Sequence, residues 1–109
     1  MAAPTYKVLA QSAPSATTNT DIYTVTSGKS AVISTIAITN RDTSASFRIA
    51  VRPAGATIAN QHYIAYDNYI NQYDSVYLTI GITLASTDVI TVYASSANLS
   101  FSIFGSEIS

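Results

Sequence analysis

Tyrosines are concentrated in one short stretch of this chain. Five of its eight tyrosines lie between positions 63 and 77: Tyr63, Tyr66, Tyr69, Tyr73 and Tyr77. A tyrosine offers a rigid, amphipathic ring and a hydroxyl group, which suit both protein interfaces and stacking on sugars. Tyr63, Tyr66, Tyr69 and Tyr73 are therefore candidate partner-binding residues. Three interpretations stay open: packing within the domain, a protein interface, and a saccharide site.

Two arginines are a second candidate feature. Arg48 and Arg52 occupy positions of equal parity in a predicted strand, so they share one face, about 13 Å apart at a rise of ~3.3 Å per residue. Such a pair could hold carboxylates of a partner, because a guanidinium group matches the geometry of a carboxylate. The alternative is a solvated sheet edge, where exposed charges contribute little.

The remaining chemistry-bearing residues do not form a recognisable catalytic set. His62 is the sole histidine, and no G-x-S-x-G elbow surrounds a serine, so we expect it to hydrogen-bond locally at a strand end. Asp67, Asp74 and Asp88 fall at predicted strand boundaries, where Asp commonly builds turns. Cysteine is absent, and no D-x-D-x-D-G calcium loop occurs. We therefore predict no enzyme activity, no cofactor and no metal site.

Charge is scarce. Charged residues make up 10% of the 109 residues, against about a quarter in a typical soluble domain. The net charge of −1 argues against nucleic-acid binding, which normally needs a concentrated basic patch. No window holds the ~20 apolar residues needed to cross a membrane, and no secretory signal is recognisable. These features predict a component made in the cytoplasm and covered by protein partners, with neither nucleic acid nor membrane among them.

The elements that must position these residues are short strands. Residues with β-branched and aromatic side chains alternate with polar ones between turn residues, which is typical of strands. Eight runs are predicted: Tyr6 to Gln11, Asp21 to Thr26, Ser30 to Asn40, Ser46 to Arg52, His62 to Tyr66, Ser75 to Ile80, Asp88 to Ala94 and Leu99 to Phe104. This spacing favours an all-β fold, an antiparallel sandwich of about eight strands of jelly-roll or Greek-key type. We expect one domain over residues 1–109, with residues 1–5 as a short N-terminal arm.

Two of these runs do not alternate. Residues 32–38 and 89–93 place apolar side chains at positions of both parities. A strand that is buried on one face needs one apolar row, so we expect a loop or a neighbouring subunit to cover the second row.

Several segments of the chain resemble a known family. They are VLAQSAP at 8–14 with DIYTV at 21–25, FRIAVRPAG at 47–55 leading into HYIAYD at 62–67, GITL at 81–84 with DVITVYA at 88–94, and FSIFGSE at 101–107. Together they are similar to small virion structural proteins of tailed bacteriophages, over nearly the whole chain.

The resemblance implies a non-enzymatic β-sandwich located in the virion. Proteins of this kind decorate capsids as cement, often as trimers, or occur in tails and fibres. Because no long fibrous segment, chaperone domain or receptor-binding module is recognisable, we expect the cement type: a homotrimer that binds the major capsid protein on the capsid surface and stabilises the shell by multivalent contacts. The alternative is an adhesin of the tail or fibre that binds polysaccharide of the host surface through the tyrosines.

Overall fold

The computed structural model describes residues 5–108, and these residues form nine strands. The strands are β1 (Thr5–Ser12), β2 (Thr20–Thr24), β3 (Ser30–Asn40), β4 (Ala45–Arg52), β5 (Tyr63–Ile70), β6 (Ser75–Leu78), β7 (Ile82–Leu84), β8 (Val89–Ala94) and β9 (Leu99–Ile108). Helical structure in the described residues is limited to two single 3-10 turns, Pro53–Gly55 and Asn60–His62. The prediction of an all-β fold is therefore confirmed.

The strands form two antiparallel sheets that lie face to face. In sheet A the order is β1-β9-β3-β6, with β7 also pairing with β3. In sheet B the order is β2-β8-β4-β5. The chain thus pairs β1 with β9, β2 with β8, β3 with β6 and β7, and β4 with β5. This is one long two-stranded ribbon rolled up on itself, the topology of a jelly roll, and it confirms the predicted fold type.

The ninth strand lies in a segment where no strand was predicted. The run expected from Ser75 to Ile80 ends earlier, at Leu78, and the short strand β7 follows Gly81. Both pair with β3, β6 along residues 36–39 and β7 along residues 31–33. Since β6 and β7 extend the same edge of sheet A, they occupy one strand position of the jelly roll.

The core lies between the two sheets and draws on both. Phe47 of sheet B and Phe101 of sheet A meet edge to face, with ring centroids 6.3 Å apart. Ile33, Ile49 and Ile103 are fully buried around them in the same cluster. Burial of a side chain of this size stabilises the fold by about 1.5–3 kcal/mol, so these residues supply much of what holds the sheets together.

A bulge explains why the sequence of β3 does not alternate. The pairing with β9 shifts register between Ile33 and Thr35. The extra residue, Ser34, lets both Ile33 and Ile36 point into the core. The bulge therefore moves Ile36 and Ile38 out of the second row and into the core. Of the second row, only Val32 and Ala37 lie on the outer face.

The second row of β8 is covered by the chain itself. Ile90, Val92 and Ala94 belong to the core, while Val89 and Tyr93 lie on the outer face of sheet B. The turn at Pro53–Gly55 lies over Val89, which is buried. The space between them is small: a Cβ atom added to Gly55 would be in van der Waals contact with a Val89 methyl group, at 3.8 Å. A loop therefore covers this residue, one of the two expected kinds of cover.

The predicted N-terminal arm falls largely outside the described residues. Of residues 1–5 only Thr5 is described, and it is already paired in β1. Among residues 5–108, no helix has both the length and the apolar character that a membrane span requires.

Candidate functional site: the tyrosine–arginine face of sheet B

The outer face of β5 carries three tyrosines because the strand is bulged twice. Its pairing with β4 matches Asn68 to Phe47, Ala65 to Ile49 and Tyr63 to Ala50, with a register shift at each step. Regular alternation would place positions 63, 65, 67 and 69 on one face. The shifts instead bring Tyr63, Tyr66 and Tyr69 to the outer face and turn Ala65 inward.

The bulge also changes the role of Asp67. The sequence predicted that this residue opens a loop, which was wrong, because β5 continues to Ile70. Asp67 has a φ of 50°, a left-handed conformation that Asp tolerates better than most residues. Tyr66 and Asp67 together lie opposite one residue of β4, Arg48, between the pairs formed by Phe47 and Ile49.

Arg48 is held by three neighbours. Its Nε donates a hydrogen bond to Asp67 Oδ1 over 2.6 Å. Its guanidinium carbon lies 4.3 Å from the ring centroid of Tyr66 and 4.4 Å from that of Tyr93, so the cation contacts both rings. The hydrogen bond to Asp67 raises the pKa of Arg48 above its ordinary value, which keeps the group charged. Arg48, Tyr63, Tyr66, Tyr69 and Tyr93 form the tyrosine–arginine face.

Arg52 is bound to the chain itself further along β4. Its Nη2 pairs with Asp21 Oδ2 at 2.8 Å, and its Nε donates to Thr91 Oγ1 at 3.0 Å. The Thr91 hydroxyl in turn donates to Asp21 Oδ1. Nη1 donates to the carbonyl oxygens of Gly55 and Ala56, which fastens the turn after β4. Both arginines thus bind carboxylates, as the sequence suggested, but carboxylates of their own chain.

An open depression lies beside the rings. It has a volume of about 500 Å³ and is lined by Asn60, Tyr63 and Tyr66. The two rings meet edge to face, with centroids 4.9 Å apart and planes at 84°. Tyr69 lies further along the same face, opposite Ser46, and is 66% exposed. The face therefore offers aromatic surface, hydroxyl groups and one amide to a partner.

The two remaining tyrosines of the sequence cluster lie elsewhere. Tyr73 sits in the β5–β6 turn with a φ of 58°, and its amide donates to Asp42 O at 3.2 Å. Tyr77 belongs to β6 and points outward from sheet A, beside Ala37. Of the candidate residues, the structure therefore brings together Arg48, Arg52, Tyr63, Tyr66 and Tyr69 on one sheet face, and leaves Tyr73 beyond its end.

Sequence reasoning missed the three residues that hold the two arginines. Tyr93, Asp67 and Asp21 hold the arginines, yet each is far from its arginine in sequence. The cross-strand pairing of Arg48 with Tyr93 could have been found only from the register of β4 and β8. No local pattern encodes that register.

The sole histidine and the two turn acids have local roles. His62 Nδ1 accepts a hydrogen bond from the amide of Ala59 at 3.0 Å. Asp88 accepts from the amides of Ala54 and Ala85, and Asp74 accepts from that of Ser75. Within residues 5–108, no three acidic, histidine or cysteine side chains come together as a metal site would require.

The arrangement is suited to non-covalent binding. Its exposed groups are rings and hydroxyls, and its charged groups neutralise one another in pairs. Comparisons of this chain with models of protein families, with curated proteins and with solved structures find no match.

Proposed function

We propose that this protein is a non-enzymatic structural component of a tailed-phage virion that decorates the capsid shell as a homo-oligomer of three copies. The observation that carries the proposal is the tyrosine–arginine face, a set of exposed rings on a rigid sheet. Monomeric proteins rarely expose contiguous apolar patches of large size, and Tyr and Arg are enriched at interfaces. The segments that resemble phage virion proteins support the virion as the location. The lack of a long fibrous segment in this sequence favours the capsid surface, with the major capsid protein as the partner.

The rings are held in place before binding. Arg48 fixes the plane of Tyr66 from one side, and Tyr63 meets the same ring edge to face. Ordering a side chain at an interface costs about 0.5–1.5 kcal/mol, and a ring that is already ordered avoids that cost. The face is therefore pre-organised to contact the capsid protein.

Charge contributes little to the proposed contact. Arg48 and Arg52 are each paired with an aspartate of the same chain, so they position the face and its neighbouring turn. Binding through neutral rings depends only weakly on salt, since screening acts on charges. Direct contact of either arginine with the partner stays a prediction.

Several copies acting together provide stable attachment. One copy presents a small contact, but linking contacts of modest affinity raises the overall avidity by about 10²–10⁴-fold. An oligomer that spans neighbouring capsid subunits would in this way hold them to one another and strengthen the shell.

The location is tested by labelling intact particles with antibody against this protein. We expect label over the shell. Label on the tail, or none, would contradict the proposal.

The contact is tested with purified capsids. Tyr69→Ala removes a ring that is 66% exposed and is expected to weaken binding by about tenfold or more, as for an interface hot spot. Tyr69→Phe keeps the ring and Asn68→Ala changes its exposed neighbour, so both are expected to bind like the wild type. Equal binding by all four proteins would exclude the ring as a contact.

A second candidate is favoured by one observation, the depression beside Tyr63 and Tyr66. A jelly roll also serves as the scaffold of lectin domains, and aromatic rings with a nearby amide suit a saccharide. In this case the protein is a tail or fibre adhesin for polysaccharide of the host surface. A glycan array separates the candidates: specific saccharide binding that is lost in Tyr63→Ala and Asn60→Ala, together with label on the tail, would favour the adhesin.

A further inference from the structure

We infer that the outer face of sheet A is the surface through which neighbouring copies of this chain meet. The inference rests on the proposed homo-oligomer and assigns its contact to a face opposite the tyrosine–arginine face. It would leave the rings of sheet B free for the capsid.

The outer face of sheet A carries no charge in the described part of the chain. The strand registers place Ser, Thr, Ala, Gln, Val, Ile, Tyr and Phe at its outward positions, and no Asp, Glu, Lys, Arg or His. Lys7, the charged residue of β1, pairs in register with Gly105 on the inner side, and its Nζ lies 2.7 Å from Glu107 Oε1. Depletion of charge is the compositional mark of an interface core. We name this surface the charge-free face.

An apolar centre lies within the charge-free face. Tyr6 and Val8 of β1, Val32 of β3 and Phe104 of β9 line a depression of about 520 Å³. Lys7, whose ammonium group is paired with Glu107, also lines it, together with Ser34, Gly105 and Ser106. Tyr6 is 81% exposed and Val8 is 48% exposed. Serine and threonine dominate the outward positions around this centre. An apolar centre within an uncharged polar rim is the anatomy of a protein–protein contact.

Charge and size favour a second copy as the occupant. A net charge of −1 gives two copies almost no mutual repulsion, and a face without charges can contact a neighbouring copy without pairing like charges, including in the offset contacts of a three-copy ring. Four strand positions and the length of β3 give the face about 20 by 35 Å, or roughly 700 Å². A specific interface buries about 800 Å² on each partner, so this face is close to the size that a stable self-contact needs.

The experiment introduces one charge into the centre of the face. Val8→Lys places an amino group where the wild type has an exposed methyl surface, so the monomer can solvate it. The control is Ile64→Lys on β5 of sheet B, where the replaced side chain is similarly exposed, at 44%. Molar mass is measured by size exclusion with light scattering, and circular dichroism confirms that each variant is folded. We expect oligomers of the wild type and of Ile64→Lys, and monomers of Val8→Lys.

Each other outcome is decisive. Val8→Lys that stays oligomeric overturns the inference but leaves the proposed function standing. A wild type that is monomeric at high concentration overturns the inference together with the homo-oligomer. If Val8→Lys is monomeric but wild-type protein binds no capsid, the inference holds and capsid decoration fails. If Val8→Lys proves unfolded, Phe104→Lys on the adjacent strand is measured against the same control. A monomer then supports the inference, and an oligomer overturns it.

Discussion

The side chain of Asn40 connects two loops at one end of the sandwich. Its side chain is buried, and Nδ2 donates to Thr43 O at 2.8 Å and to Asn71 O at 3.0 Å. Oδ1 accepts from the amide of Asp42 at 3.1 Å. The loops after β3 and after β5 are thus joined through one amide. In the sequence, Asn40 was only the last residue of a predicted strand.

Loss of this amide is expected to destabilise the fold. Asn40→Ala removes the hydrogen bonds of a buried amide to Thr43 O, to Asn71 O and from the Asp42 amide. Each such bond contributes about 0.5–1.5 kcal/mol, so we expect a loss of about 2–4 kcal/mol. The free energy of unfolding is measured in urea. Asn68→Ala, at an exposed position of β5, is the control and is expected to change it by less than about 0.5 kcal/mol. A loss below about 1 kcal/mol for Asn40→Ala would show that water replaces the amide.

Glu107 of β9 interacts with two neighbouring side chains, Lys7 and Tyr23. The hydrogen bond and charge of Lys7, with a smaller contribution from Lys29, lower the pKa of Glu107 below its ordinary value of 4.5. Tyr23 faces the same corner, and its pKa is raised by burial and then by the charge of Glu107. The acid is thus more readily ionised in the folded state than in the unfolded chain.

Stability is therefore expected to fall in acid. A carboxyl group whose folded pKa is depressed contributes stability that is fully present above pH 4.5 and is lost as the pH falls through the folded pKa. Urea unfolding of the wild type and of Lys7→Gln is compared across this range. We expect the wild type to be the more stable above pH 4.5 and the difference to shrink below it. A difference that is independent of pH would exclude the ion pair as its cause.

At the scale of elements, bulges decide which residues share a face. The positions of all eight predicted strands were largely right, because turn residues and β-branched runs are local signals. The ends were less accurate, since β5 runs on to Ile70 and β9 runs on to Ile108. The faces of β3 and β5 depend on their bulges, because one extra residue in a strand reverses the face of every residue beyond it.

Gly105 shows how tightly two of these strands approach. A Cβ atom at this position would lie 2.1 Å from Val32 O, a backbone atom that cannot move aside without shifting β3. The approach occurs beside the register shift between Ile33 and Thr35, where β3 is bulged against β9. Only glycine fits between the strands here.

Gly105→Ala is accordingly expected to destabilise the protein by about 3 kcal/mol or more, or to prevent folding. Gly81→Ala is the matched control, because a Cβ atom there meets nothing within 4 Å. It is expected to change stability by less than about 1 kcal/mol. Thermal unfolding of both variants is the measurement. A Gly105→Ala variant as stable as the wild type would mean that β3 and β9 can separate without loss.

At the scale of the whole molecule, the two outer faces differ in kind. The outer face of sheet B carries charges that are neutralised in pairs, whereas the outer face of sheet A carries none in the described residues. The opposite faces of one rigid sandwich can therefore serve two contacts at the same time. This arrangement is what a decoration protein needs if it joins copies of itself and also holds a shell.

Self-association is expected to show as concentration-dependent stability. When unfolding separates the copies, mass action raises the unfolding temperature as protein concentration increases. Calorimetry over a roughly hundredfold range of concentration is expected to show this rise for the wild type and its absence for Val8→Lys. An unfolding temperature that does not change with concentration in the wild type would argue for a monomer.

The sequence by itself determined the all-β class, the approximate positions of the strands, the low charge and the candidate residues. Each of these follows from local composition or from a period of two residues. The tertiary structure alone decided that Arg48 pairs with Asp67 and that Tyr93 belongs to the site. It also decided that Tyr73 and Tyr77 lie outside the site. The physical reason is that partners across a sheet are chosen by register, and register is set by bulges and by the fit of the two sheets in the core.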